Sequence, residues 1–66
     1  MNAYRIDFKY LEQRPGLITG YGTYVNAASL EAASERAQTL AALSLIPARV
    51  ELVQLFSHGP IPGLAN

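Results

Sequence analysis

Residues 3–12 alternate. Tyr4, Ile6, Phe8 and Tyr10 fall on one side of an extended chain, and Arg5, Asp7 and Lys9 fall on the other. Period-two alternation with aromatic and β-branched residues on the apolar side predicts a half-buried strand. Gln13-Arg14-Pro15-Gly16 then predicts a turn. Pro fixes φ at position i+1, and Gly accepts the positive φ that a type II turn needs at i+2. A second strand follows over about 17–25, with β-propensity from Thr19, Tyr21, Thr23, Tyr24 and Val25. Gly20 and Gly22 lie two apart within it and share a face, a spacing that points to something bulky above them.

The period changes at residue 29. Leu30, Ala33, Ala37, Leu40 and Ala41 form an apolar stripe at helical spacing, with Glu31, Ser34, Glu35 and Gln38 largely opposite. Ser29 is placed to cap the helix, and Glu31 lies near the positive end of its dipole. Pro47 cannot continue a helix, so this one is expected over 29–45. Residues 48–56 form a third strand, with Val50 and Leu52 facing one way and Arg49 and Glu51 the other. The alternation blurs from Val53 to Phe56, where a bulge or a second buried surface would account for it. Two Pro and two Gly in the last stretch predict an irregular tail.

These elements give an α+β domain of β-β-α-β layout over 1–56, followed by a Pro/Gly-containing tail over 57–66. A right-handed crossover through the helix sets the third strand beside the first. The expected sheet is antiparallel, in the order 2-1-3, with the helix on one face. Setting Ile6 opposite Val50 would pair Tyr4 with Leu52, Arg5 with Glu51 and Asp7 with Arg49, which makes both charge pairs complementary. Setting Tyr10 opposite Gly20 would put Phe8 over Gly22 and Ile6 by Tyr24, so that the glycines make room for aromatics beneath the helix. The core would then hold Tyr4, Ile6, Phe8, Tyr10, Ala33, Ala37, Leu40, Val50 and Leu52. The open face would collect Arg5, Asp7, Lys9, Thr19, Tyr21, Thr23, Val25, Arg49 and Glu51.

Composition adds a second theme. Half of the 66 residues are hydrophobic and only 15% are charged, against about 25% in an ordinary soluble domain. Small domains have proportionally more surface and should be more polar, not less. Leu11, Val25, Leu43, Val53, Leu55, Ile61 and Leu64 have no evident place in one helix–sheet layer. Ordering the chain costs roughly 1.5 kcal/mol per residue, on the order of 100 kcal/mol in all, which one small sheet and helix barely offset. Both points predict contact with another chain: a homodimer or a stable complex with a protein partner. The five basic and five acidic residues cancel, which argues against a dedicated DNA-binding module. There is no Cys and hence no disulfide framework. No apolar run reaches membrane-span length, and no signal-peptide pattern is present, so a cytoplasmic location is expected.

Candidate chemistry is sparse. His58 sits in the tail, where a general base would be poorly positioned. Asp7 and Glu51 lie on neighbouring strands among Arg5 and Arg49, which favours an ion-pair ladder over an acid–base pair. Glu31 and Glu35, one helical turn apart, read as a solvated face. No cluster has the ligands of a metal site, and Gly20-Tyr21-Gly22 is too short for a phosphate loop and lacks its Lys. The expectation is a protein that is not an enzyme and uses no cofactor. Its binding surface would be the open sheet face, through Arg5, Lys9, Tyr21, Thr23, Arg49 and Glu51, because exposed Tyr and Arg are enriched at interface hot spots.

Three features are taken together: the alternating strand from residue 3; Gly-Thr-Tyr-Val-Asn-Ala-Ala-Ser-Leu-Glu-Ala-Ala over Gly22–Ala33; and the strand Arg-Val-Glu-Leu-Val. Over residues 3–56 the chain resembles small β-β-α-β proteins encoded by phages and other mobile elements. Among these are anti-CRISPR inhibitors of type I surveillance complexes, in which a strand ending in Val-x-Ala-x-Ser-Leu leads into the helix. The resemblance implies action without catalysis, in the host bacterial cell, by occupying a surface of a ribonucleoprotein and blocking its access to nucleic acid. The chain lacks the acidic excess of those members that mimic DNA, which leaves direct protein docking. Two other functions fit the same residues. One is a single-stranded nucleic-acid binder that stacks bases on Tyr21 beside Lys9, Arg5 and Arg49. The other is a structural subunit that self-assembles through edge strands or the tail.

Overall fold

The computed structural model of the chain describes residues 1–64. Its elements are β1 (Asn2–Tyr10), β2 (Gly20–Ala27), α1 (Leu30–Ala42) and β3 (Ala48–Ser57). The strands form one antiparallel sheet in the order β2-β1-β3, with α1 packed across one face. The β-β-α-β layout expected from the sequence is the fold observed.

Local chemistry sets the boundaries. The Leu17 amide donates to the Arg14 carbonyl across Pro15 and Gly16, and Gly16 has φ +82°, the geometry a type II turn requires. The Ser29 hydroxyl accepts from the Ala32 amide at 3.1 Å and caps α1. The helix ends at Ala42 rather than near Leu45, capped by Leu43, and residues 43–47 return the chain to β3. The Leu11 amide donates to the Pro47 carbonyl at 2.9 Å, which ties the β1–β2 and α1–β3 connections together at one end of the molecule.

Tyr4, Ile6, Phe8, Val25, Ala27, Ala33 and Ala37 form the core, with Leu40, Val50 and Val53 packed at its margin. Ala33 and Ala37 have no exposed surface, so the helix axis lies close over the sheet. Ile6 is the largest fully buried side chain among the described residues. Burying a side chain of that size contributes about 1.5–3 kcal/mol.

The hairpin register differs from expectation by one residue. Tyr4 pairs with Val25, Arg5 with Tyr24, Ile6 with Thr23, Phe8 with Tyr21 and Lys9 with Gly20. A one-residue slip moves every side chain of a strand to its other face. Tyr21, Thr23 and Val25 therefore lie on the helix side, and Tyr24 and Asn26 on the open side. Packing decides the register. It brings Val25 and Ala27 into the core and stacks Tyr21 on Phe8, ring centroids 4.7 Å apart. It also leaves Asn26 where the tail supplies its hydrogen bonds.

The β1–β3 register differs as well. Val50 lies opposite Phe8, Arg49 opposite Lys9, Leu52 opposite Asp7 and Val53 opposite Ile6. The register shifts at Glu51 and again at Phe56, each an extra residue opposite a regular strand, where the alternation in the sequence blurs. The first bulge lets Val50 and Val53, three apart, both face the helix, and it turns Leu52 out to the open face, 43% exposed and outside the core. The charges pair along strands rather than across them, Arg5 with Asp7 and Arg49 with Glu51.

The segment after β3 is irregular but fastened. The Gly59 amide donates to Asn2 Oδ1 at 3.0 Å. The Asn26 side chain accepts from the Ile61 amide at 2.8 Å and donates to the Ile61 carbonyl at 3.0 Å. The chain thus crosses from β3 to β2 at this end of the sheet, where Ala3, which alternates with Arg5, has no exposed surface. Residues 65–66 of the expected tail lie outside the described residues.

Candidate functional site

The tail covers one end of the open face, and the remainder is uncovered. At its centre Arg5 reaches from the middle strand across Gly22. A Cβ on Gly22 would collide with the guanidinium, 2.6 Å from Cζ, so this glycine makes room for an arginine rather than for an aromatic ring. Arg5 Nη1 donates to the Tyr24 hydroxyl and Nε to Asp7 Oδ1, each at 2.9 Å, and Nη2 lies 2.9 Å from the same carboxylate oxygen. The guanidinium carbon is 5.1 Å from the Tyr24 ring centroid. The Tyr24 hydroxyl, and after it Asp7, hold the Arg5 guanidinium above its ordinary pKa by hydrogen-bonding to the charged form.

Phe56, the second bulge residue, meets Tyr24 edge-on at 4.7 Å and remains 55% exposed. The bulge aims this ring at the open face, as bulges commonly re-aim a side chain. Arg5, Tyr24 and Phe56 thus form a held row with Leu52 exposed nearby on the same face. Beside the row, where Gly20 and Gly22 leave the sheet bare, lies a shallow hollow of about 440 Å³. Arg5, Asp7, Lys9, Gln13 and Glu51 help to line it. The Lys9 ammonium pairs with no carboxylate among the described residues.

Of the six residues expected on this face, Arg5, Lys9, Arg49 and Glu51 are there, with Glu51 at a bulge. Tyr21 and Thr23 are not, for the reason of register given above. Tyr21 still helps to line the hollow, but its ring lies against Phe8 and 5.8 Å from that of Tyr10. Tyr24 and Phe56 lie on this face as well, beyond the six residues expected there. The blurred alternation at residues 53–56 was the available signal for Phe56; Tyr24 became legible only with the register.

A second surface lies at the loop end. Leu11, Ile18, Leu43, Leu45 and Ile46 are exposed there, Leu45 completely. Ile46 and Leu45 border clefts formed with Tyr10 and Tyr21 on one side and with Leu17 and Pro47 on the other. His58 is exposed, and among the described residues no three carboxylates or histidines are grouped to hold a metal. Among the same residues no helix is long and apolar enough to cross a membrane.

Comparison with protein-family models, with curated proteins and with solved structures gives no match for this chain.

Proposed function

We propose that the chain is a non-enzymatic protein-binding domain that docks through the open face of its sheet. The observation that carries this reading is the row Arg5–Tyr24–Phe56. It brings two aromatic rings and a guanidinium into mutual contact on an uncovered face, with Phe56 more than half exposed. Arg and Tyr are the residue types that dominate interface energetics, and a side chain already held in place loses little conformational entropy on binding. The resemblance to phage and mobile-element β-β-α-β proteins supports a partner class: a CRISPR-type defence complex of a bacterial host, inhibited by occlusion of its nucleic-acid path in the cytoplasm.

Capture of a purified type I surveillance complex tests the proposal. Wild type should retain the complex and block target DNA binding, and Phe56→Glu, with an unchanged circular dichroism spectrum, should do neither. Equal retention by both would remove the open face as the docking surface. No retention by wild type would remove the partner class.

Self-association is a second reading, favoured by the exposed leucines and isoleucines at the loop end. A dimer of wild type that Leu45→Glu converts to a monomer, by light scattering, is its expected signature. For nucleic-acid binding, the open face offers Arg5, Lys9 and Arg49 against Asp7 and Glu51, and Tyr21, the ring assigned to stacking, lies on the helix side.

A further inference from the structure

The free edge of β2 carries the furthest inference. The Tyr10 amide donates to the Thr19 carbonyl at 2.9 Å, which fixes the phase of the ladder. Hydrogen-bonded pairs alternate with non-bonded ones in an antiparallel sheet. Tyr10·Thr19, Phe8·Tyr21, Ile6·Thr23 and Tyr4·Val25 are therefore the bonded pairs. Gly20, Gly22 and Tyr24 aim their own amide and carbonyl groups outward. Further along, Val25, Asn26 and Ala27 are buried, which limits the open edge to residues 20–24.

The two edges of the sheet differ. β3 is interrupted by two bulges and carries Arg49 and Glu51, features that discourage pairing. Gly20–Tyr24 has no bulge, no proline and no charge. Its open-face positions 20 and 22 are bare backbone, and Arg5 extends over Gly22 toward this edge. Two of the five guanidinium N–H groups donate to Tyr24 and Asp7, which leaves three, with Nη2 beside the same carboxylate oxygen. Lys9, opposite Gly20, is unpaired with any carboxylate among the described residues.

We propose that β2 accepts an extended peptide strand of a partner protein, with an acidic side chain opposite Gly22 that completes the Arg5 guanidinium. This deepens, and rests on, the reading of the open face as a docking surface. Strand addition uses main-chain hydrogen bonds for affinity and alternate side chains for specificity. A strand added about 4.8 Å beyond β2 puts its side chain opposite Gly22 on the open face, within reach of the guanidinium. Its neighbours in sequence fall on the other side, beside Tyr21 and Thr23, and suit β-branched residues. A second copy of β2 does not meet this requirement, because Gly20–Ala27 contains no acidic residue.

The probe is a blocked peptide, Thr-Val-Glu-Val-Thr, added to the full chain and followed by amide hydrogen exchange and chemical shifts. Protection should appear at Gly20, Gly22 and Tyr24. The same peptide with Gln in place of Glu should bind about tenfold more weakly, the loss of one charge-assisted hydrogen bond. Arg5→Gln should abolish that difference, and N-methylation of the peptide's edge-facing amides should abolish binding. Protection along β3, equal binding of the Glu and Gln peptides, or no binding at millimolar peptide would overturn the proposal. So would protection of the edge that rises with protein concentration alone, since a second copy would then be the occupant. Phe56→Glu should leave peptide binding intact, so failure of the edge and failure of the open-face reading give different results.

Discussion

Gly20 and Gly22 look equivalent in sequence, two residues apart on one strand, yet their surroundings predict opposite responses to the same methyl group. A Cβ on Gly20 would lie 3.0 Å from the Phe8 carbonyl carbon and 3.1 Å from Lys9 Cα, and closer still to the Phe8 oxygen. All three atoms are backbone of the central strand and cannot rotate away. The three atoms nearest a Cβ on Gly22 all belong to the Arg5 guanidinium, the far end of a flexible side chain. Overpacking typically costs about 1–3 kcal/mol, and replacing a strand Gly returns roughly 0.5–1 kcal/mol. Gly20→Ala is therefore expected to lose about 2 kcal/mol, because strand separation is the only relief. A domain of this size should be stable by roughly 3–10 kcal/mol, so the loss would lower Tm by about 8–16 °C. Gly22→Ala should stay within about 0.5 kcal/mol of wild type, while Arg5 swings off Tyr24. Thermal and urea unfolding by circular dichroism measure both. The double variant Arg5→Ala/Gly22→Ala should show that adding Arg5→Ala costs less in the Gly22→Ala background than in wild type. Equal stability of Gly20→Ala and wild type would refute the reasoning, as would equal losses in the two glycine variants.

Three further outcomes follow from the packing and the caps. Ile6→Ala, at the largest fully buried side chain among the described residues, should cost about 2–5 kcal/mol in urea unfolding. Asn26→Leu should leave the Ile61 amide and carbonyl without their partners, cost about 1–3 kcal/mol, and speed hydrogen exchange at Ile61 selectively. Ser29→Ala should cost about 1 kcal/mol through loss of the cap on Ala32.

The element order was legible because each element rests on chemistry a few residues long. Tyr4, Ile6 and Phe8 alternate whatever they pair with. Pro15-Gly16 specifies its own turn, and Ser29 finds its amide donor three residues on. The helix end was less legible: Pro47 sets an outer limit, but Leu43 already closes the last turn. The apolar surplus divides on inspection. Val25 is in the core and Val53 at its margin, while Leu11, Leu43 and Leu55 remain exposed.

The site was half legible because a face is a property of register, and register is a long-range quantity. Arg5, Lys9 and Arg49 lie on the open face as expected, since each position follows from the core-facing residues of its own strand. For β2 the alternation Gly20–Tyr21–Gly22–Thr23–Tyr24 allows either assignment, and local chemistry does not choose between them. The choice lies with Val25 and Ala27, which need the helix, and with Asn26, whose partner Ile61 is 35 residues away. A buried asparagine must find donors and acceptors, and they are not available beneath an apolar helix. Placing it on the open side puts Tyr24 on that face and Tyr21 on the helix face. The guanidinium then has a hydroxyl to hold it, and Gly22 becomes the floor on which it lies. One polar residue thus decides which tyrosine lies on the open face of the sheet.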